Sequence, residues 1–316
     1  MTASRAVSLG VADLGMIARL RAAITQVVRG KDGAVDLALT SMVAGGHLLV
    51  QDVPGVGKTT LAAALASVLG GTFSRIQLTP DLLPSDLTGG NGIDRTTGEL
   101  VFRPGPLFAN VVLADELNRT SPRTQSALFE AMEEQQVTVD GVTRALPRPF
   151  VVIATQNPFD HHGTYPIPES QLDRFLIRLS LGYPDRRAER ELVRRAQTRP
   201  PASNVLDPAG WDALVQAGEA IFVPEPVEEY LLDVVAATRA DGRLIRGVST
   251  RGAQALYRAV RAWALVRGRS FAIPEDVREL AVPVLGHRVM ARTGGPEGDG
   301  GPAAIAAILD GVRAPS

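Results

Sequence analysis

Apolar residues recur at helical spacing from Leu14 to Val28, where Ile17, Leu20, Ile24, Val27 and Val28 share a face, and a second helix is expected from Val35 to Val43. A short apolar run, His47 to Val50, then stops at a Pro/Gly-rich turn, and Thr59 to Leu69 reads as a helix, so the pattern predicts a strand–loop–helix unit. Three further unbroken runs, Ser74 to Leu78, Asn110 to Ala114 and Phe150 to Ala154, have the character of strands covered on both faces. That is the pattern of a parallel sheet between helical layers. Two excursions interrupt it: a Gly-rich stretch from Leu87 to Pro106, and a hairpin from Gln136 to Pro147 turning at Asp140-Gly141.

From Pro184 the texture changes to helix after helix, with Val227, Tyr230, Leu231, Val234 and Val235 following the i, i+3, i+4 rule. Further helices are expected over Arg251 to Val266 and Pro274 to Met290, with no strands among them. Arg199 to Ser203 reads as a linker between two helices, and Thr293 to Pro302 as a Gly/Pro-rich tail. The expected fold is α/β: an αβα parallel-sheet domain over residues 1–184, then a smaller all-helical domain over 185–316.

Composition narrows the chemistry. With 45% hydrophobic and 21% charged residues in 316, the chain can bury one large core or two modest ones. The formal net charge is −1, so no overall field favours nucleic acid or anionic lipid. No cysteine is present, which excludes disulfides, thiol catalysis and thiolate metal sites. Met1 to Gly10 has no apolar block of signal-peptide length and no stretch approaches the roughly 20 apolar residues of a membrane span, so a cytoplasmic protein is expected. Lys31 and Lys58 are the sole lysines, which makes the placement of Lys58 informative.

Lys58 sits in the run Asp52-Val53-Pro54-Gly55-Val56-Gly57-Lys58-Thr59-Thr60, which ends the first strand and opens a helix, as a phosphate-binding loop requires. Gly55 and Gly57 let backbone N–H groups approach phosphate oxygens, Lys58 places a positive charge at the β/γ-phosphates, and the Thr59 hydroxyl can ligate Mg²⁺. The loop pattern wants glycine where Asp52 stands; the later glycines make the close approach, so an extended residue is acceptable there.

The run from Val111 to Ala114 ends in Asp115 and Glu116. Behind a phosphate loop, such a pair suits ATP hydrolysis, with Asp115 holding hydrated Mg²⁺ and Glu116 polarising the attacking water. The next apolar run ends at Asn157, whose side chain at the carboxyl edge of a parallel sheet can orient that water. Asp160, His161 and His162 lack a third ligand at regular spacing and read as a loop.

These signals in this order resemble AAA+ proteins, and the wording of QDVPGVGKTTLA, DLLPSDLTG, the long run from Phe102 to Glu134, PFVVIATQNP, GTYPIPESQLDRFL and GVSTRG resembles the MoxR family in particular. Members of that family tolerate an acid at the position of Asp52. The resemblance implies a P-loop ATPase of AAA+ type with a helical lid and ATP in the cleft between the two domains. It implies that Arg174 is a finger reaching the nucleotide of a neighbouring subunit, and that Arg251 is a second sensor acting on its own subunit's nucleotide. It also implies a homo-oligomeric ring, by analogy a hexamer, working on client proteins, often with a partner bearing a von Willebrand factor A domain.

Arg119 and Arg123 follow the acid pair closely enough to line a subunit interface. Two rivals stand beside the remodelling ATPase. A nucleic-acid motor would use Arg144 and Arg148 on the hairpin, but no aromatic interleaving or dense basic stripe accompanies them. A nucleotide-switched scaffold would have no need of Glu116.

Overall fold

The computed structural model describes residues 11–157, 163–184, 186–194, 205–292 and 300–315. In chain order its elements begin α1 (Val11–Val27), α2 (Asp32–Val43), β1 (His47–Gln51), α3 (Lys58–Val68), β2 (Phe73–Gln77), α4 (Pro84–Thr88), β3 (Gly89–Ile93), β4 (Leu100–Pro104) and β5 (Val111–Asp115). They continue with α5 (Pro122–Glu134), β6 (Gln136–Val139), β7 (Val142–Ala145), β8 (Val151–Gln156), α6 (Glu169–Leu172), β9 (Phe175–Leu179) and α7 (Arg186–Arg194). The last part holds α8 (Pro208–Glu219), α9 (Glu225–Ala240), β10 (Leu244–Arg246), α10 (Thr250–Val266), α11 (Pro274–Leu285), β11 (Met290–Ala291) and α12 (Gly300–Gly311).

The main sheet is five-stranded and wholly parallel, in the order β2-β5-β8-β1-β9. Its three inner strands alternate between two cores, as the two-residue period of a strand demands. Leu48 and Val50, Val111 and Leu113, and Val151 and Ile153 join a core with α1, α2, α3 and the later helices. Leu49, Val112, Ala114, Val152 and Ala154 join the other, with Leu128 and Phe129 of α5. The helical part is thus continuous with one face of the sheet: Trp211 of α8 donates to the Met42 carbonyl at 3.4 Å, and α10 buries Ala259, Val260 and Trp263 in the same core.

Several expectations are corrected here. The run Ser74 to Leu78 is not sandwiched: β2 is an edge strand in which Ile76 alone is buried. β9, on the opposite edge, was not foreseen, nor was α12, whose Gly/Pro/Ala-rich opening reads as tail. The helical part is not free of strands, since β10 and β11 form a small antiparallel ribbon, and α11 stops at Leu285 rather than Met290 so that Met290 can pair with Arg246. The hairpin turns where expected, with Asp140 and Gly141 at φ of 51° and 76°. The Gly-rich excursion is a second hairpin, β3–β4, tied to the first by Asn91 Nδ2 donating to Asp140 at 2.6 Å and by Arg144 lying 3.9 Å over the Phe102 ring. Residues 158–162, which carry His161 and His162, and the expected linker from Arg199 to Ser203 lie outside the described residues.

Candidate functional site

At the carboxyl end of β1 the backbone turns through Asp52 to Gly57, with Gly55 and Gly57 at φ of 86° and 101°, a region that only glycine enters without strain. Gly57 caps α3, so the first N–H groups of the helix face the space above the loop. The Lys58 ammonium folds back onto the loop, donating to the Asp52 carbonyl at 2.7 Å and the Val53 carbonyl at 3.4 Å. Partial burial pushes its pKa down, while the negative charges of Asp52, Asp115 and Glu116 oppose that shift. Lys58 is therefore the point where the loop and the end of β5 meet. Asp52 itself behaves differently from the expectation of a nucleotide contact. Its carboxylate is turned toward the end of β9, accepting from Ser180 Oγ at 2.9 Å and Gly182 N at 2.6 Å.

The acid pair lies at the end of β5. Asp115 is buried, with one oxygen accepting from Arg75 Nε at 2.8 Å and the other from Thr155 Oγ1 at 3.1 Å. Thr155 in turn accepts from the Glu116 backbone N–H at 3.0 Å, locking β8 to the turn that presents the glutamate. Glu116 holds a left-handed backbone, φ 60° and ψ 51°, a conformation that costs a non-glycine residue about 1 kcal/mol or more and clusters at functional sites. Its carboxylate faces Arg119 Nε at 3.0 Å. Asn157 directly follows β8, next to the acid pair's own strand.

Mg²⁺ suits this donor set. The Thr59 hydroxyl opens α3, and Asp115 has two of its four lone-pair positions taken by Arg75 and Thr155, leaving oxygen sites of the hard kind that Mg²⁺ prefers. Among the described residues no group of three His, Asp or Glu side chains could hold a metal by itself, so such an ion would rely on nucleotide phosphates.

The two arginines lie elsewhere. Arg174 immediately precedes β9, and His47 at the start of β1 pairs with Phe175 at the start of β9. Arg174 is therefore at the amino end of the sheet, about 13 Å along β1 from the phosphate loop at roughly 3.3 Å per residue. Arg251, expected over its own subunit's nucleotide, stands with Arg174: their Nη2 atoms each lie 2.6 Å from one oxygen of Glu133 at the end of α5. That placement, beside Arg174 at the amino end of the sheet, differs from the one expected of a sensor over its own subunit's phosphate loop. The reason is long-range: α10 docks on α2 and α8 and carries Arg251 to the far edge. Behind the pair is a cavity of about 270 Å³ lined also by Asp173, Arg258 and Arg288.

Known proteins resemble this chain closely. The family model for the ATPase family associated with various cellular activities matches residues 47–177, and an AAA lid model matches 236–308. The chain is 44% identical to YeaC of Bacillus subtilis, a protein without assigned function, with 92% of each chain covered. It is 40% identical to Chaperone MoxR1 of Mycobacterium tuberculosis, with 84% of this chain and 74% of that protein covered. The chain belongs to the MoxR family of AAA+ ATPases. A crystal structure of a candidate ATPase from Cytophaga hutchinsonii superposes on this MoxR-type chain with a TM-score of 0.88 at 34% identity, covering 97% of both.

For this MoxR-type ATPase the structure adds residues that sequence reasoning missed: Arg75 and Thr155 on Asp115, Glu133 between the two arginines, and Arg288 on Asp173. The nearest signal was Glu133's place three residues before the hairpin, at the end of an amphipathic helix. No helix in the described residues is long and apolar enough to cross a membrane.

Proposed function

We propose that subunits of this chain join head to tail in a cytoplasmic ring, a hexamer by analogy, in which ATP bound at one P-loop is hydrolysed with Arg174 and Arg251 supplied by the next subunit. The observation that carries this reading is the separation of the two half-sites at opposite ends of β1. One chain alone cannot close both onto one nucleotide, and a heterologous contact that brings them together closes into a ring when its rotation allows.

Within a composite site, backbone N–H groups of Gly55 to Thr59 and the Lys58 ammonium bind the phosphates. Thr59 and Asp115 would hold Mg²⁺, which would neutralise charge building on the phosphate oxygens. Glu116 accepts the proton of the attacking water while Asn157 orients it, and Arg174 stabilises the γ-phosphate as the anhydride bond breaks to give ADP and phosphate. The nucleotide domain is assigned to residues up to 184, with the lid following. The released energy is assigned to remodelling or maturation of client proteins, in keeping with the relative named Chaperone MoxR1, and a von Willebrand factor A domain protein is the expected partner. A nucleic-acid motor is disfavoured because Arg144 is committed to Phe102 and to the Val142 carbonyl at 3.0 Å.

Mixing tests the reading. Arg174→Ala and Glu116→Gln proteins are each nearly inactive alone, because every site in either lacks one essential group. Mixed rings contain junctions where intact Glu116 faces intact Arg174, so turnover should rise on mixing and with protein concentration. A flat result with subunit exchange confirmed removes the trans finger.

A further inference from the structure

The Arg174 side chain is held within the nucleotide domain by Glu133, Gln171 and the Ser170 carbonyl, while the segment around it is tied to the lid. Arg246 of β10 lies 2.6 Å from Glu169 of α6, five residues before Arg174. Arg288, which follows α11, is buried and binds the Asp173 carboxylate at 2.7 Å, the Asp173 carbonyl at 3.0 Å and the Phe175 carbonyl at 2.6 Å. Burial pushes its pKa down to about 10, with Asp173 opposing, so it stays a cation at neutral pH. Arg174 itself lies 5.8 Å from the Phe129 ring and shares Glu133 with the lid residue Arg251.

Glu133 is the group that makes this arrangement a pair. Four guanidiniums, Arg174, Arg251, Arg258 and Arg288, line the cavity against two carboxylates, Glu133 and Asp173. Two like charges do not approach one another without a counter-ion, and each Glu133 oxygen takes one arginine. The Arg251 guanidinium holds the Glu133 carboxyl below its usual range, with Arg174 adding to the effect, so the bridging anion persists at neutral pH. The Arg251 side chain is 60% exposed, and exposed ion pairs contribute little stability, so the contact has small value to the fold. Its product is geometry: two cations, one from the nucleotide domain and one from the lid, fixed at one edge with an excess of positive charge.

Resting on the trans reading above, we propose that Glu133 is a positioning residue that presents Arg174 and Arg251 together to the neighbouring subunit's nucleotide, so that lid and finger move as one piece. Glu133 touches no substrate; it acts through the two arginines. Removing its charge frees them to separate, and the loss falls on the transition state and not on ATP affinity.

The test is complementation with the near-isosteric Glu133→Gln variant, with thermal melting as the check on its fold. Alone it should lose tenfold to about a hundredfold in kcat, the scale on which misplacing a catalytic group acts, with KM for ATP within about threefold of wild type. Mixed with Glu116→Gln it should regain turnover, because an intact P-loop site on the Glu133→Gln subunit meets an intact arginine edge on its neighbour. Mixed with Arg174→Ala it should regain none, because both lack the same edge. Glu133→Asp keeps the charge but is too short to bridge both arginines, and should fall between wild type and Glu133→Gln. Wild-type kcat in Glu133→Gln overturns the inference, as does failure to complement Glu116→Gln where Arg174→Ala succeeds; the trans reading survives either result. If Arg174→Ala also fails to complement Glu116→Gln, the reading and the inference fall together. Should Glu133→Gln not fold, the same mixtures with Glu133→Asp decide.

Discussion

The two ends of β1 are built on different principles. At the carboxyl end the backbone shapes the site: Gly55, Gly57 and Glu116 all have positive φ, Gly57 caps a helix, and Lys58 is the sole lysine of the site. At the amino end charged side chains from α5, α10 and the segments before β9 and after α11 converge, and these side chains define the surface, the left-handed Gly45 and Gln135 beside them serving to turn the chain. A short contiguous motif suffices for the first. The second exists only once the lid has docked, so it depends on the whole fold, and in the proposed ring it would be completed by the nucleotide of a neighbouring subunit.

That contrast can be broken from either side. The largest effect is expected at Lys58: Lys58→Ala should abolish binding of a fluorescent ATP analogue while leaving the melting curve unchanged, and wild-type affinity would remove the phosphate-loop assignment. Arg174→Ala should reduce kcat roughly a thousandfold with ATP affinity intact, since a finger acts on transition-state charge; equal losses in binding and turnover would place it elsewhere. Glu116→Gln should lower turnover by on the order of a hundredfold with binding preserved, and a rate within a few-fold of wild type would move the general base to another residue.

Smaller effects separate bracing from binding. Asp52→Ala strips the acceptor from Ser180 and Gly182 and should cost about 2 kcal/mol of stability, seen as a fall in Tm of a few degrees. Unchanged stability with lost ATP affinity would return Asp52 to the nucleotide. The smallest effect is a slope with pH. His47 is buried, bonded to the Met132 carbonyl and to Val152 N, and burial pushes its pKa down to about 4. The unfolded chain therefore binds a proton near pH 6.5 that the folded chain refuses until pH 4, so stability should be full above pH 6.5 and decline below it by up to about 1.4 kcal/mol per unit. His287 is shifted in the same direction, also by burial. Urea titrations between pH 7 and 5 should show the decline for wild type and a shallower one for His47→Gln.

What could be read in the sequence follows the same division. The P-loop and acid pair were legible because phosphate chemistry dictates residue types at adjacent positions, and the inner strands because burial on both faces leaves unbroken apolar runs. β9 was missed although it is buried, because Arg178 interrupts its apolar run. The place of Arg251 beside Arg174 was not legible because it is set by α10 packing on α2, a contact between residues over 200 apart in the chain. In a chain of 33 basic residues with two lysines, nothing local marks which arginine Glu133 or Asp173 will select.

The acid that replaces the first loop glycine gives β9 an unusual mechanical standing. One end of this five-residue strand is pinned through Ser180 and Gly182 to Asp52, and the other begins directly after Arg174. A hydrogen-bonded strand is stiff along its axis, with no loop here to take up slack. Any tightening of the loop around phosphate would then pull along the strand toward the opposite edge, as a tie rod carries load between two joints. In the proposed ring such rods would stand in series with the bound nucleotides, and strain raised at one junction would have a continuous path to the next.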